Sequence, residues 1–318
     1  MQSWKTWQTL LLALVLVAAT AFGVSAQDLR MASGQQGSQN YGVNAALAQA
    51  LQTYGGLNVS VQAYGGPAAF LPLLHRAQLD LAALVMPDAG DAIRGTGPFQ
   101  GFPMVNVQLV ASLFPSPVGL MVAANSGIES ISDLRGKRVA YGLPSQPSLV
   151  PYVEGALANG GLTTRDVTLV PVTSVANGVD ELMAGRVDAT LFALRGGKVV
   201  EADSALGGIR FLPFDPSPQA VAAMQAVAPD AYLVEVKAED GVLGINRTMY
   251  TMAYDYVLVA GVHVPDALIQ RVVQVLKEHG PEFSANSSFL DYINPETLYR
   301  PYQGLMYHRA AEAALKSQ

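Results

Sequence analysis

The segment Leu74-His-Arg-Ala-Gln-Leu-Asp-Leu-Ala-Ala-Leu84 has a counterpart later in the chain, Leu182-Met-Ala-Gly-Arg-Val-Asp-Ala-Thr-Leu-Phe192. Each segment is typical of the end of an amphipathic helix, a tight polar turn, and an aspartate that leads into an apolar strand. Because the unit occurs once before and once after residue 118, it predicts two similar lobes. The alternative is coincidence, since helix, turn and strand units of α/β proteins often share such spacing.

Apolar, β-rich runs alternate with helical patterns over the rest of the chain. A run at 29–33 precedes a helical pattern from Tyr41 to Tyr54, and a second run follows at 57–64. The alternation recurs after residue 118 and predicts an α/β protein with a largely parallel sheet.

Two longer apolar segments predict where the chain crosses between the lobes. The first, 106–123, is interrupted by Pro115 and Pro117, and proline cannot donate a hydrogen bond within a sheet. The second runs from Tyr250 to Ala260 and predicts the return crossing. The predicted organisation is therefore a first part of lobe I at 27–114, lobe II at 115–251, and a return to lobe I with C-terminal helices at 252–318.

Residues 1–26 have the pattern of a secretory signal peptide that is cleaved after Ala26. Lys5 precedes an apolar run from Leu10 to Phe22, which is shorter than the roughly 20 residues that a spanning helix needs. An uncleaved membrane anchor is the alternative. The chain has no cysteine, which excludes disulfides, thiolate metal sites, a cysteine nucleophile and a lipoprotein anchor. These features predict a free periplasmic protein with no direct membrane insertion after cleavage.

The charge balance bears on the partners of the mature chain. The sequence holds 19 basic and 25 acidic residues, and only Lys5 lies in the leader, so the mature net charge is −7. A negative chain of this kind is not expected to bind nucleic acid or an anionic membrane surface.

The sequence shows none of the constellations that common enzyme classes require. It has no G-x-S-x-G elbow, no phosphate loop and no H-E-x-x-H motif, and its histidines are scattered. The pair Asp88 and Asp91 is typical of loops and helix caps, although Asp88 is kept as a candidate ligand contact. We therefore expect no catalytic residue, no metal ion and no cofactor.

Polar and aromatic residues collect instead in loops at the carboxyl ends of predicted strands, where open α/β sheets bind ligands. Arg195 is one of them, and its guanidinium suits the two-pronged binding of a carboxylate. Ordinary turn chemistry is the alternative for each loop alone. The candidate ligand-binding residues are Gln36, Ser38, Asn40, Tyr41, Tyr64, Gly66, Pro67, Phe70, Asp88, Ser145, Gln146, Ser148 and Arg195.

Four segments together resemble the TAXI group of solute-binding proteins, which belong to TRAP transporters. They are Ser126-Gly-Ile-Glu-Ser-Ile-Ser-Asp-Leu-Arg-Gly-Lys-Arg-Val139, Gly65-Gly66, Gln78-Leu-Asp-Leu-Ala82 and Leu182-Met-Ala-Gly-Arg-Val-Asp188. The resemblance implies a two-lobed periplasmic binding protein fold of type II-like topology with an interlobe ligand cleft. It also implies capture of glutamate, glutamine or a related small carboxylate, and delivery to the TRAP membrane permease subunits.

Three loops depart from the pattern of that group. A Gly-Gly-Thr-Tyr-Tyr-type loop is Gly37-Ser-Gln-Asn-Tyr41, a Gly-Gly-Ser-x-x-Asn loop is Gly65-Gly-Pro-Ala-Ala-Phe70, and a Gly-Ser-Gly-Thr loop is Ser145-Gln-Pro-Ser148. Burying polar ligand groups without partners costs about 1–3 kcal/mol each, so the loss of donors favours a ligand less polar than glutamate.

The resulting hypothesis is a monocarboxylic or aromatic ligand, held at its apolar part by Tyr41, Tyr64 and Phe70 and at its carboxylate by Arg195. In the alternative, Phe70 faces the core and Arg195 faces solvent. Two other functions stay open, namely a periplasmic ligand-sensing subunit of a signalling receptor and a periplasmic enzyme on the same scaffold.

Overall fold

A computed structural model describes residues 28–34, 36, 39–286 and 293–317. The predicted leader, residues 1–26, and the candidate residue Ser38 lie outside the described residues.

The secondary structure alternates as the sequence predicts. In the described residues the strands are Leu29–Ser33 (β1), Val59–Ala63 (β2), Leu81–Val85 (β3), Val107–Ala123 (β4), Arg138–Gly142 (β5), Thr168–Val172 (β6), Thr190–Ala193 (β7), Ile209–Phe211 (β8), Tyr232–Val236 (β9) and Met249–Gly261 (β10). The α-helices are Gln39–Gly55 (α1), Pro67–His75 (α2), Met86–Arg94 (α3), Val150–Asn159 (α4), Val175–Met183 (α5), Lys198–Leu206 (α6), Pro218–Val227 (α7), Asp266–His279 (α8) and Arg309–Lys316 (α9).

The main sheet is mixed, with the order β2-β1-β3-β10-β4-β7 and with β8 beside β4 and β9 beside β10. Its β2-β1-β3 part is parallel, as is the separate β5-β6 pair, whereas β10 and β4 run antiparallel to their neighbours. The prediction of an α/β fold is confirmed. The prediction of a largely parallel sheet is wrong, because the two long strands run against their neighbours.

The repeated unit has the same hydrogen bonds in both places. Asp80 accepts from the backbone N–H of Arg30 at 2.7 Å and from its Nε and Nη2 at 2.9 Å each. Asp188 accepts from the same three groups of Arg138, at 2.8, 3.1 and 2.6 Å. The aspartate that ends each polar turn thus anchors the first strand of its lobe, which gives the sequence repeat a physical reason.

The long strands β4 and β10 join the two lobes. Their lobe I halves pair with each other, with Asp255 opposite Pro115. Beyond Pro117, β4 pairs with β7 and β8 instead, while the first half of β10 pairs with β9. The prolines therefore lie where β4 exchanges partners, within one continuous strand. The predicted limits at 114/115 and 251/252 stay predictions.

Buried apolar side chains form separate cores on the two sides of this crossing. One core draws its buried residues from 118–254. Two others cover the opposite faces of the β2-β1-β3 region and combine residues 29–114 with residues 256–311. Together with the topology, these cores give a two-lobed α/β fold.

Candidate functional site

The two lobes touch at loops that the sequence selected. Ser148 lies in the short 3₁₀ turn Pro147–Leu149 that leads into α4, and its Oγ donates to Oδ1 of Asp88 on α3 at 2.6 Å. Asp88 follows β3 and Ser148 follows β5, so the carboxyl ends of parallel strands from both lobes face each other here. This contact marks a point where the two lobes meet.

The environment of Asp88 favours its neutral form. Burial raises its pKa to about 6, because the hydrogen bond from Ser148 offsets only part of the desolvation and the charge of Asp91 adds to it. Ser148 itself is 3% exposed. The hydroxyl of this contact is therefore screened from water, whereas Asp88 is half-buried.

The remaining polar groups of the 142–148 loop hold lobe II together. The Oε1 atom of Gln146 accepts from the backbone N–H of Val175 at 3.1 Å, at the first turn of α5. Ser145 is exposed, and its backbone N–H donates to the carbonyl of Thr173 at 3.0 Å. These contacts fix the loop that presents Ser148.

Asn40, near the start of α1, is hydrogen-bonded to Gly34, the residue that follows β1. Its Nδ2 donates to the carbonyl of Ala83 at 2.9 Å and to the hydroxyl of Tyr256 at 2.8 Å, and its Oδ1 accepts from the N–H of Gly34 at 2.6 Å. Tyr41 is half-buried and Gln36 is exposed. Asn40 therefore connects Gly34 to β3 and β10, and contact of Gln36, Asn40 and Tyr41 with a ligand stays a prediction.

The structure after β2 contradicts the prediction that Phe70 holds the ligand. Gly66 has φ 150°, a conformation suited to glycine, and precedes Pro67 at the first position of α2. Phe70 is 0% exposed and packs into a core of lobe I, because the helical spacing of α2 turns it inward together with Leu71 and Leu74. Its ring therefore faces the core and not the cleft, which is the alternative that the sequence left open for this residue. Tyr64 is half-buried, with its ring centroid 6.3 Å from that of Phe70.

Arg195 is exposed at the end of β7. Its Nη2 donates to the carbonyl of Asp240, within lobe II, at 3.3 Å. The carboxylate clamp predicted for this side chain stays a prediction.

A cavity of about 730 Å³ opens beside the contact between the lobes. Of the predicted ligand-binding residues in the described ranges, Ser148 is the one that lines this cavity. Other lining side chains from α3, α4, β9, β10 and the segment before α9 are Asp91, Arg94, Tyr152, Tyr232, Asp255, Arg300 and Tyr302. The space is thus walled by aromatic rings and by charged groups from both lobes.

Asp255 is the most buried acid of this wall, at 2% exposure. The hydroxyls of Tyr232 and Tyr302 both donate to its carboxylate, and Nη1 of Arg300 lies 3.2 Å from it. The guanidinium of Arg300 also stacks 4.4 Å from the ring centroid of Tyr232. Burial, and then the charge of Asp255, raise the pKa of both phenols, so they stay protonated and donate.

Arg94 of lobe I and Asp230 of lobe II form an ion pair between the lobes, with two hydrogen bonds of 2.9 Å. Sequence reasoning missed this pair and the Asp255 cluster. The signal for Asp255 was present, since it is the single charge in the apolar run from Tyr250 to Ala260. The ion pair gave no local signal, because its partners are 136 residues apart.

Two features are absent from the described part of the chain. No group of three His, Cys, Asp or Glu side chains there could hold a metal ion. No helix there is long and apolar enough to cross a membrane.

Solved structures show where this fold occurs. PhnD1 from Prochlorococcus marinus, in complex with methylphosphonate, is 11% identical with a TM-score of 0.56, over 91% of this chain and 97% of that one. The periplasmic aliphatic sulphonate binding protein SsuA from Escherichia coli is 18% identical with a TM-score of 0.51, over 92% and 79%. The BvgS VFT2 domain from Bordetella pertussis is 11% identical with a TM-score of 0.51, over 83% and 91%. At these identities the likeness shows the fold alone, which is the two-lobed fold of periplasmic binding proteins.

Sequence comparison adds one partial relative and one family. A putative thiamine biosynthesis protein of Haemophilus influenzae is 28% identical over 159 residues, which span 49% of this chain and about half, 47%, of that relative. The TAXI subgroup is not named by the family description and stays a prediction. The model of the NMT1-like family matches residues 31–318, nearly the whole sequence, and on that match the chain belongs to the NMT1-like family.

Proposed function

We propose that this protein is the periplasmic solute-binding subunit of a membrane importer, which captures one small organic solute between its lobes and presents the closed form to a permease. The observation that carries the proposal is the hydrogen bond between Ser148 and Asp88. It brings the ligand-prone strand ends of both lobes together beside a cavity of about 730 Å³.

The connection between the lobes suits such a mechanism. Two neighbouring strands, β4 and β10, form the hinge, and a ligand that contacts both lobes binds the closed form more tightly than the open one. That difference in affinity shifts the population toward the closed form, which is the form that a permease would recognise.

The finer proposal is a TAXI-type subunit of a TRAP transporter that takes a small organic carboxylate or amino-acid-like ligand, less polar than glutamate. The stretch at 126–139 supports the subgroup, and Pro67, Pro144 and Pro147 support the lower polarity, because they remove backbone donors from the loops. Arg195, at the end of β7, is the proposed contact for the carboxylate.

A thermal-shift screen of residues 27–318 tests the function. The panel holds amino acids, aliphatic mono- and dicarboxylates, aromatic acids, and a sulfonate and a phosphonate. A ligand at about 100 times its Kd stabilises the native state by about 2.7 kcal/mol, which raises the Tm by several degrees. Arg195→Ala is expected to weaken a carboxylate hit at least about tenfold, the loss of one charged hydrogen bond. Arg186→Ala, which removes an exposed arginine of the same lobe, is the matched control. No shift with any compound would reject the proposal.

A periplasmic ligand-sensing subunit of a signalling receptor, which the sequence leaves open, is the second candidate. Permease genes beside the coding sequence would favour transport, and a kinase gene there would favour sensing. Recovery of the hit unchanged after long incubation separates both roles from an enzyme on this scaffold.

A further inference from the structure

The corner between β5 and α4 carries an unusual balance of donors and acceptors. A serine hydroxyl has one proton, and that of Ser148 points to Asp88 at 2.6 Å. In this arrangement Ser148 can accept a hydrogen bond from a ligand but cannot donate one to a ligand carboxylate. The hydroxyl that sequence reasoning assigned to the solute is therefore already bound to an acid of the protein.

Asp88 has acceptor capacity left over. Its Oδ1 accepts from Ser148, and within the described ranges Oδ2 has no hydrogen-bond partner. No arginine, lysine or histidine of those ranges lies within 4.0 Å of its carboxylate. Asp88 does not itself line the cavity, but it accepts from the hydroxyl of Ser148, which does. A carboxylate in this place, without a cation of its own, attracts donors and repels acids.

The arginines that line the cavity do not alter this balance. Arg94 gives both Nη atoms to Asp230, and Arg300 lies against Asp255 and the ring of Tyr232. Asp91, three residues further along α3, adds negative charge and has the hydroxyl of Thr96 as its hydrogen-bond donor at 2.7 Å. With Arg94 paired to Asp230, the charge that α3 adds to this side of the cavity is that of Asp91, and Asp88 lies next to Ser148.

We propose that Asp88 is a specificity residue, which selects solutes that meet the start of α4 with a protonated nitrogen or another strong donor, and rejects solutes that meet it with a carboxylate. The inference rests on the proposed function and names the chemistry at one end of its ligand. The carboxylate of an amino-acid-like solute would then lie at the opposite end of the molecule.

Two matched series of probes test the inference by calorimetry. The first is 5-aminovalerate, valerate and glutarate, and the second is 4-(aminomethyl)benzoate, 4-methylbenzoate and terephthalate. Within a series the compounds share one carboxylate and differ at the far end, which is an ammonium, a methyl or a second carboxylate. We expect the order of affinity to be ammonium, then methyl, then carboxylate, with steps of about tenfold, as expected for one charge contact near a protein surface.

Two variants show whether Asp88 causes the order. Asp88→Asn keeps the size of the side chain and an acceptor for Ser148. In this variant the Kd values of the ammonium and methyl compounds should differ by about threefold or less, instead of about tenfold. Asp166→Asn, an exposed carboxylate of lobe II that contacts Thr163 and Arg135, should leave the order unchanged.

The outcomes separate the inference from the function. Tightest binding of the dicarboxylates, or an ammonium preference that survives in Asp88→Asn, overturns the inference and leaves solute capture standing. If no member of either series binds, the inference falls. If in addition no compound of the wider screen binds, the proposed function falls as well.

Discussion

Arg94 and Asp230 connect α3 of lobe I to the turn before β9 of lobe II through two parallel hydrogen bonds of 2.9 Å. Their side chains are 24% and 11% exposed. The geometry is the two-pronged form in which arginine binds a carboxylate most strongly, and the pair spans the two lobes beside the cavity.

Breaking this pair should destabilise the protein and loosen the arrangement of the lobes. We expect Arg94→Leu to lower the free energy of unfolding by about 1–3 kcal/mol, since it leaves a half-buried aspartate without its cation. Asp230→Leu should have a similar effect. Urea denaturation gives the loss, and small-angle scattering should show a larger radius of gyration. In the double variant the losses should fall short of their sum by about 1 kcal/mol or more, and strict additivity would show that the pair is not coupled.

The two repeated aspartates should contribute different amounts to the stability of the fold. Asp80 is 6% exposed and also contacts Nε2 of His263 at 2.9 Å, whereas Asp188 is half-buried. Burial alone would raise the pKa of Asp80, but the hydrogen bonds from Arg30 hold it below the usual value. We expect Asp80→Asn to cost about 2 kcal/mol at pH 7, and Asp188→Asn to cost less.

The pH dependence of that loss follows from the sign of the shift. A carboxylate with a lowered pKa stabilises the fold above the pKa of the unfolded chain, and this stability disappears as the pH falls through the folded pKa. The cost of Asp80→Asn should therefore shrink in acid, in denaturation curves recorded from pH 7 downward. An equal cost at every pH would assign the effect to packing.

Asp88 should behave in the opposite way. Its pKa is raised from 3.8 to about 6, so the folded state holds the proton more tightly, and stability falls as the pH rises from 3.8 to 6. The titratable groups that face it are Asp91 on α3 and the phenols of Tyr254 and Tyr256 on β10, whose pKa values are raised by burial. Asp88→Asn should therefore raise the Tm of the ligand-free protein above pH 6 and lose this advantage toward pH 4.

Asp166→Asn is the matched control for this experiment. Hydrogen bonds from the N–H and hydroxyl of Thr163 lower the pKa of Asp166, so its replacement should not raise the Tm at pH 7. If Asp88→Asn lowered the Tm at pH 7 as well, the desolvation of Asp88 would not be the dominant effect.

Asn44 hydrogen-bonds both backbone groups of Ala83 in β3. Its side chain is fully buried, Nδ2 donates to the carbonyl of Ala83 at 2.8 Å, and Oδ1 accepts from the N–H of Ala83 at 2.8 Å. Asn44→Leu takes this partner from the N–H of Ala83, whereas the carbonyl keeps the hydrogen bond from Asn40, and we expect a loss of about 1–3 kcal/mol in urea denaturation. The exposed Asn58→Ala should cost less than about 0.5 kcal/mol. A loss of that small size for Asn44→Leu would mean that water replaces the amide.

The sequence predicted those features that depend on local patterns. Strand and helix alternation gave the α/β class, and the repeated aspartates gave the two lobes, because each aspartate acts on a strand of its own lobe. Ser148 and Asp88 were selected one by one as residues at strand ends. Their direct contact was not predicted, because it depends on how one lobe faces the other.

The errors share one cause. Phe70 is the last residue of the motif Gly65-Gly-Pro-Ala-Ala-Phe70. The motif alone does not tell which face of α2 is turned to the core. The mixed sheet follows from β4 and β10, whose direction depends on the crossing between lobes. The ion pair of Arg94 and Asp230 likewise comes from tertiary packing of distant segments.

The separate cores also set an order of assembly. The core of lobe II is built from the unbroken stretch 118–254, whereas lobe I needs β10 and the segments after residue 256 to complete its sheet and cover both faces. A chain that emerges from its N-terminus therefore exposes β1 to β3 first and closes their sheet last. During synthesis, the apolar strands of lobe I are therefore the segments that stay uncovered longest.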